Sequence, residues 1–138
     1  MRALRRGETV GLLPDQVPPE GMGVWAPFFG RPAYTMTMAA KLVAQTGCAV
    51  VLLRGERLGW RARRHHRCEY IVHADRVAAD LEQVLAGGDA AQSAATVNRL
   101  MEEMIMQAPE QYLWGYNRYK APRAEILTSA RPGPEAQG

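Results

Sequence analysis

The residues of this sequence best suited to general-base chemistry are its three histidines: His65, His66 and His73. A catalytic histidine needs a carboxylate that orients its ring and stabilises its cation, and a carboxylate about five positions further on is one arrangement that supplies it. Those positions carry no carboxylate; they hold Tyr70, Ile71 and Ala78. Because neighbouring side chains on a strand point to opposite faces, the adjacent pair His65 and His66 does not predict a metal site either.

Other catalytic and cofactor motifs are absent as well. The sequence contains no Gly-x-Ser-x-Gly, no Cys-x-x-Cys, no phosphate-binding Gly-x-x-x-x-Gly-Lys and no dinucleotide fingerprint. Its two cysteines, Cys48 and Cys68, have neither a metal-ligand spacing nor the number needed for a disulfide framework, so a reducing compartment is the default. The sequence therefore predicts no metal and no cofactor.

Arginine is concentrated in one stretch of the chain. Six arginines fall within fourteen residues: Arg54, Arg57, Arg61, Arg63, Arg64 and Arg67. Guanidinium forks bind phosphate bidentately, so this stretch could hold a phosphorylated lipid, an acidic protein or nucleic acid. A solvated hairpin is the alternative. The net charge is only +3, so the location of the charge matters more than its sum.

Two charged residues follow predicted strands. Arg54 stands at the end of an apolar run, and Asp15 follows the run at residues 9–13. Ligands collect at the carboxyl ends of the strands in open parallel sheets, so Asp15 and Arg54 are expected at one rim of the sheet. A structural ion pair between them is the other interpretation.

An apolar loop and a methionine-bearing helix complete the candidate residues. The loop PPEGMGVWAPFFGRPAYT contains Trp25, Phe28 and Phe29, which either fill the core or line a groove for a chain-like substrate. Met101 and Met104 on the last helix are expected to fill the core.

These residues must be positioned by regular elements, and the pattern predicts an α/β fold. Residues 9–13 read as a strand, 16–32 as a long packed loop, 35–46 as a helix closed by Gly47, and 48–53 as a strand covered on both faces. Strand, helix and strand in this order form a crossover unit of a mostly parallel sheet.

The second half of the chain is predicted to be mainly helical. Residues 67–73 alternate as a half-exposed hairpin arm, and residues 78–85 form a helical turn. Asp89, with Gln92 three residues on, caps a helix that ends at Pro109, and a short amphipathic segment with several aromatic residues follows. The tail at residues 121–138 is expected to fray.

The overall composition fits one soluble domain. The chain of 138 residues is 47% hydrophobic and 22% charged, and its apolar runs are shorter than the roughly 18 to 20 residues that cross a bilayer. The N-terminus does not have the pattern of a signal peptide.

Four segments in order carry a resemblance: GETVGLLPDQ, GVWAPFFGRPAYT, the apolar strand that ends at Arg54, and MIMQAPEQYLWGYNRYK. From about Leu4 to Pro122 the sequence resembles the C-terminal half of the bacterial lipid A biosynthesis acyltransferases, within the lysophospholipid acyltransferase superfamily. The resemblance implies a partial lysophospholipid-acyltransferase-like fold for residues 1–120. It also implies acyl transfer from acyl carrier protein to a phosphorylated, Kdo-bearing glucosamine disaccharide at the cytoplasmic face of the inner membrane, in lipopolysaccharide biosynthesis.

The resemblance also assigns residues. Six residues match positions of the family, and the chemistry of their side chains makes them the candidate substrate-binding residues: Asp15, Phe28, Phe29, Gly30, Thr35 and Arg54. The C-terminal signature of the family corresponds to Glu110, Trp114 and Arg118. The family's catalytic histidine and its acidic partner precede the matched segments, so we expect this chain to hold no catalytic residue, to be inactive alone and to be a poor monomer.

The expected partners are acyl carrier protein, a phosphorylated glycolipid acceptor and a membrane surface, with no nucleic acid. The alternative is a small basic module without enzymatic activity that binds nucleic acid or an acidic partner through Arg57 to Arg67.

Overall fold

The structure, a computed structural model, describes residues 1–58 and 69–123. Its elements are, in order, α1 (Arg2–Arg5), β1 (Gly23–Phe28), β2 (Arg31–Met36), α2 (Met38–Thr46), β3 (Val51–Arg57), β4 (Tyr70–Arg76), α3 (Ala79–Gly87) and α4 (Ala90–Ile105). A 3-10 turn at Pro109–Gln111 follows. Several residues that the sequence singled out lie outside the described ranges: Arg61, Arg63, Arg64, His65, His66, Arg67 and Cys68.

The strands form two separate antiparallel hairpins, β1 with β2 and β3 with β4. The predicted α/β fold with a mostly parallel sheet is therefore wrong. Residues 9–13 form no strand, and Val10, Leu12 and Leu13 are exposed. An apolar run has the pattern of a strand whether or not a partner strand is present. β3 pairs with β4, the next strand along the chain.

The first hairpin replaces most of the packed loop predicted for residues 16–32. Its pairs run from Gly23 opposite Met36 to Phe28 opposite Arg31. Pro27 and Pro32 lie opposite each other, directly before the closing pair. In a hairpin with a two-residue turn the closing pair exchanges both ladder hydrogen bonds and the next pair exchanges none, so the two prolines cost no ladder bond.

The second hairpin is mostly exposed. The buried strand predicted for residues 48–53 is wrong, because β3 begins at Val51 and alternates between exposed and half-buried residues. Arg54 is the fourth of its seven residues and lies inside the strand rather than at its end. The hairpin arm predicted at residues 67–73 is confirmed from Tyr70 onward, where β4 pairs with β3 as far as Arg76, and residues 67 and 68 lie outside the described ranges.

The helices follow the local signals of the sequence. In α2, Gly47 closes the helix with φ 62°, as predicted. In α4, the Asp89 carboxylate accepts the Gln92 N–H at 2.7 Å, which confirms the predicted cap. The turn predicted at residues 78–85 is the nine-residue helix α3. The aromatic residues of the short segment predicted after Pro109 lie in turns and bends.

The core joins the first hairpin to α4. Phe28 and Ala33 of the hairpin pack with residues from three helices: Val43, Leu85, Val97, Met101 and Ile105. Met101 is buried, which confirms its prediction as core, and Met104 is half-buried. Among residues 1–58 and 69–123 no helix is long and apolar enough to span a membrane.

Candidate functional site

The segment after α4, residues 109–120, lies across the first hairpin; we call it the C-terminal segment. The Tyr116 hydroxyl accepts the Val17 N–H at 2.9 Å, and the Tyr119 hydroxyl donates to the Phe28 carbonyl at 3.0 Å. The Arg31 guanidinium lies 4.1 Å from the centroid of the Tyr119 ring. These contacts hold the C-terminal segment in place although it has no regular secondary structure beyond its 3-10 turn.

Arg118 of the C-terminal segment is 2% exposed and lies between the hairpin and α4. It donates to the Tyr34 carbonyl at 2.8 Å and to the Thr35 hydroxyl at 2.7 Å. A third bond reaches the Asn98 side-chain oxygen at 3.2 Å. Within the described ranges no carboxylate forms an ion pair with Arg118, and its Nε has no hydrogen-bond partner. The positive charge is therefore held by neutral acceptors.

The electrostatics of Arg118 follow from this burial. Burial away from water lowers the pKa of Arg118. The electrostatic influence of Tyr112 and of Asp15 raises this pKa and partly offsets the effect of burial. Burial also raises the pKa of Tyr112, and the Asp15 charge raises it further. A guanidinium keeps its proton under such a shift, so Arg118 is a permanent buried cation.

Asn98 links the Arg118 cluster to α4. Its side-chain N–H groups donate to the Pro27 carbonyl at 2.8 Å and to the Thr35 hydroxyl at 2.9 Å. Sequence reasoning missed this residue. The available signal was a polar residue between Ala94 and Met101 on the buried face of α4, which indicates a hydrogen-bonded partner inside the core.

A cavity of about 240 Å³ opens beside Arg118. It is lined by Phe28 and by residues 112 and 114–119 of the C-terminal segment. The rings form a continuous wall, with centroid distances of 4.9 Å between Tyr112 and Trp114 and 6.2 Å between Phe28 and Tyr119. Lys120 lies 4.6 Å from the Tyr116 ring, so cations flank aromatic surface. Such a site suits an apolar chain that carries a negative group.

The turn of the first hairpin lies next to this wall and is strained. Phe29 has φ 46° and Gly30 has φ 72°. The left-handed region suits glycine, but for a bulky residue it costs of order 1–3 kcal/mol. The Glu102 carboxylate of α4 accepts the Phe29 N–H at 2.7 Å, and the Phe29 ring lies 5.8 Å from the Trp114 ring. These two contacts hold the turn in its strained form.

We expect Glu102→Ala to lower the free energy of unfolding by about 1.5 kcal/mol, because a charge-assisted bond to a strained turn is lost. Chemical denaturation followed by circular dichroism measures this loss. The matched control is Glu103→Ala, which removes an exposed ion pair to Arg99 and should change stability by less than about 0.5 kcal/mol. Equal effects of the two substitutions would show that the Glu102 contact does not hold the turn.

Arg54 belongs to a different cluster, in the second hairpin. It donates to Glu56 at 2.9 Å and to the Gln107 side chain at 3.2 Å. The His73 Nε2 lies 2.9 Å from the same Glu56 oxygen. A search for a carboxylate five positions after a histidine missed this pair, because Glu56 precedes His73 and lies on the neighbouring strand. Since Arg54 already compensates the Glu56 charge, the cluster has the chemistry of a structural ion-pair network.

The Glu56 cluster makes stability depend on pH. Hydrogen bonds from Arg54 and then His73 lower the pKa of Glu56 from its ordinary value of 4.5. The ionised form of Glu56 therefore stabilises the folded chain. This stabilisation is fully present above pH 4.5, and it is lost as the pH falls through the lowered pKa that Glu56 has in the folded chain. We expect the difference in melting temperature between the wild type and Glu56→Gln to shrink below that pH. A difference that grows on acidification would contradict the assignment.

The structure brings four of the six predicted binding residues together: Phe28, Phe29, Gly30 and Thr35 lie at the hairpin and its turn, beside the C-terminal segment. Asp15 acts on Tyr112 and Arg118 through its charge. No ion pair joins Asp15 to Arg54 in the described part of the chain, and the parallel-sheet rim expected to hold both does not exist. Arg54 therefore stands apart from the other five.

The two segments that meet at the aromatic cavity contain PFFG and PEQYLW, the most specific parts of the four segments that carry the resemblance. A family model described as bacterial lipid A biosynthesis acyltransferase matches residues 1–121. The chain belongs to this family. The resemblance stated from the sequence is thus confirmed, and lipid A biosynthesis acyltransferases are its relatives.

Two curated acyltransferases match the chain at the same level. The lipid A biosynthesis palmitoleoyltransferase of Escherichia coli K12 is 29% identical over 119 residues, and so is a lipid A biosynthesis acyltransferase of Shigella flexneri. The match covers 86% of this chain and 35% of each relative. The chain therefore spans about a third of the length of the acyltransferases it matches.

The described residues contain no metal-binding arrangement. Across residues 1–58 and 69–123, no group of three or more His, Cys, Asp or Glu side chains is placed to hold a metal ion. The chemistry of the site described above is binding: aromatic surface for an apolar chain and cations for a negative group.

Proposed function

We propose that this chain supplies substrate-binding surface to an acyltransferase that moves a fatty acyl chain from acyl carrier protein to a phosphorylated lipid A precursor. One observation carries the proposal: the two family segments, distant in sequence, meet around the aromatic cavity beside Arg118. The family match supports acyl transfer in lipid A biosynthesis, and the cavity supports binding of a lipid.

The residues have distinct roles in this proposal. Trp114 and Tyr119 contact the apolar acyl part of the substrate, since aromatic walls bind hydrocarbon and exclude water, and the buried Phe28 supports them from the core. Arg31 and Lys120, which lie over the Tyr119 and Tyr116 rings, attract the phosphate groups. Arg118, Thr35 and Asn98 position the wall. Arg54 is proposed to bind phosphate at a second point, through displacement of its contact with Gln107.

The reaction needs a base that the resemblance places outside the matched residues. Such a base removes the proton from the acceptor hydroxyl, which then attacks the thioester carbonyl. Loss of a general base costs about a hundred- to ten-thousandfold in rate, so we expect residues 1–138 alone to show no measurable transfer. We propose that the reaction takes place at a membrane surface, on the cytoplasmic face of the inner membrane.

The proposal is tested in a hybrid enzyme in which this chain replaces the matched third of the Escherichia coli palmitoleoyltransferase. The hybrid should transfer an acyl chain from acyl carrier protein to the lipid A precursor, and Trp114→Ala should raise the apparent KM roughly tenfold, as expected for lost contact with an apolar chain. A folded hybrid without activity would overturn the proposal.

The matched control in the hybrid is Trp25→Ala. Trp25 is 51% exposed and Trp114 is 55% exposed, but Trp25 packs on Tyr34 and does not line the cavity. The Trp25 variant should keep its KM. Equal losses for both variants would indicate that the aromatic wall is not the lipid contact. A gel shift with nucleic acid tests the alternative basic module, and binding that weakens steeply with salt would favour it.

A further inference from the structure

Within residues 1–58 and 69–123, the outer edge of β3 carries backbone groups that no neighbouring strand pairs with. The Leu58 N–H donates to the Glu69 carbonyl and the Val77 N–H to the Val50 carbonyl, each at 2.9 Å, which fixes the phase of the β3–β4 ladder. Even-numbered residues of β3 exchange hydrogen bonds with β4, so odd-numbered residues direct their N–H and C=O groups outward.

One of these outward-facing residues, Arg57, forms the backbone hydrogen bonds that a neighbouring strand would form. The Gln111 side chain accepts the Arg57 N–H at 2.8 Å and donates to the Arg57 carbonyl at 3.1 Å, as a neighbouring strand would. Val51, Leu53 and Gly55 have no such partner in the described part of the chain. An edge of this kind is a template for another strand.

The face of the sheet next to this edge is apolar and open. Leu53 is 65% exposed, and Val72, on the same face of β4, is 69% exposed. A Cβ added at Gly55 would meet no atom within 4 Å, so there is room for a packed side chain. Apolar side chains of this kind, beside an unpaired strand edge, mark an interaction surface.

We propose that the β3 edge and this apolar face dock a β-strand of a polypeptide that corresponds to the unmatched two thirds of the curated relatives. The curated relatives are about three times as long as their match to this chain, so in them the matched third is joined to a large unmatched part. A bilayer cannot supply backbone hydrogen bonds to a strand edge, whereas a polypeptide can, so the edge favours a protein partner over a membrane. The inference rests on the proposed function.

The test co-expresses this chain with the polypeptide that corresponds to the unmatched two thirds of the Escherichia coli palmitoleoyltransferase. Amide hydrogen exchange is measured on the free chain and on the purified complex. We expect the amides of Val51, Leu53 and Gly55 to exchange at least about tenfold more slowly in the complex. A complex in which these amides exchange as they do in the free chain would overturn the proposal.

A matched pair of proline substitutions tests which edge of the β3–β4 hairpin binds the partner strand. Leu53 and Ala74 are opposite each other in the register, and both direct their N–H groups away from the ladder, so proline at either position removes no β3–β4 bond. Leu53→Pro should reduce the yield of complex at least about tenfold, while Ala74→Pro, on the outer edge of β4, should leave it unchanged. Loss with Ala74→Pro alone would place the partner on β4 and contradict the proposal.

Other occupants give different results. Protection of the same amides in a dimer of this chain, detected by light scattering without the second polypeptide, would assign the edge to self-association. Protection on vesicles containing phosphatidylglycerol would assign the face to the membrane. Either result overturns the proposal. The hybrid enzyme separates this inference from the function, because an active hybrid with unprotected β3 amides rejects only the docking edge.

Discussion

Replacing Arg118 by methionine is expected to lower the free energy of unfolding by about 3 kcal/mol, because buried acceptors left without a donor cost roughly 1–3 kcal/mol each. Methionine keeps much of the length of the side chain but offers no N–H group to the Tyr34 carbonyl or the Asn98 oxygen. Removal of the buried charge also recovers its desolvation cost, which works in the opposite direction. We expect the loss of the three hydrogen bonds that Arg118 donates to exceed the free energy gained when the buried charge is removed.

Urea denaturation followed by circular dichroism measures the effect of Arg118→Met. Arg118→Lys is the informative second variant, because a lysine keeps the charge but its single ammonium cannot reproduce the planar fork. Arg99→Met, at an exposed position of α4, is the control and should change stability by less than about 0.5 kcal/mol. Unchanged stability in Arg118→Met would mean that desolvation of the guanidinium cancels its hydrogen bonds.

The parts of the fold that the sequence predicted correctly depend on local signals. Asp89 caps α4 through a bond to Gln92, and Gly47 ends α2 in a left-handed conformation, so both ends are determined by residues within a few positions. Strand pairing is not local. The run at residues 9–13 has the composition of a strand, but its side chains are exposed and its backbone pairs with no strand in the described part of the chain.

The first hairpin was missed for two physical reasons. Two-residue hairpin turns favour Asn or Gly at the first position, and here Phe29 takes the left-handed conformation with support from Glu102. Pro27 and Pro32 also argue against strands unless their exact register is known. Strain that is compensated by a distant helix residue cannot be read from the neighbouring sequence.

The candidate site was predicted in part. Its aromatic residues are recognisable from composition and from the resemblance to the acyltransferase family. The polar cluster is different, because Thr35 and Asn98 are 63 positions apart and Arg118 is 83 positions from Thr35. Each of the three residues is unremarkable on its own, and only the packing of the C-terminal segment on the hairpin gives them a common role.

Gly23→Ala is expected to lower the free energy of unfolding by about 2 to 3 kcal/mol, the range of overpacking in a close-packed site. An added Cβ would lie 2.6 Å from the Thr35 carbonyl oxygen, 2.8 Å from Pro18 and 2.9 Å from the Tyr34 ring. The nearest of these atoms is backbone and cannot rotate away. Gly55→Ala in β3 is the matched control: a Cβ there meets nothing within 4 Å, and stability should change by less than about 0.5 kcal/mol.

A double-mutant cycle tests whether Gly23 and Arg118 act on the same residue. Gly23→Ala displaces the Thr35 backbone, and Arg118→Met removes a bond to the Thr35 hydroxyl. Substitutions that share a partner couple by about 0.5–3 kcal/mol, whereas distant ones add. Because a displaced Thr35 already loses its geometry with the guanidinium, the double variant should lose at least about 0.5 kcal/mol less than the sum of the single losses. Strict additivity would mean that the hairpin accommodates the added methyl group without moving the Thr35 side chain. The hairpin and the Arg118 cluster would then stabilise the fold independently.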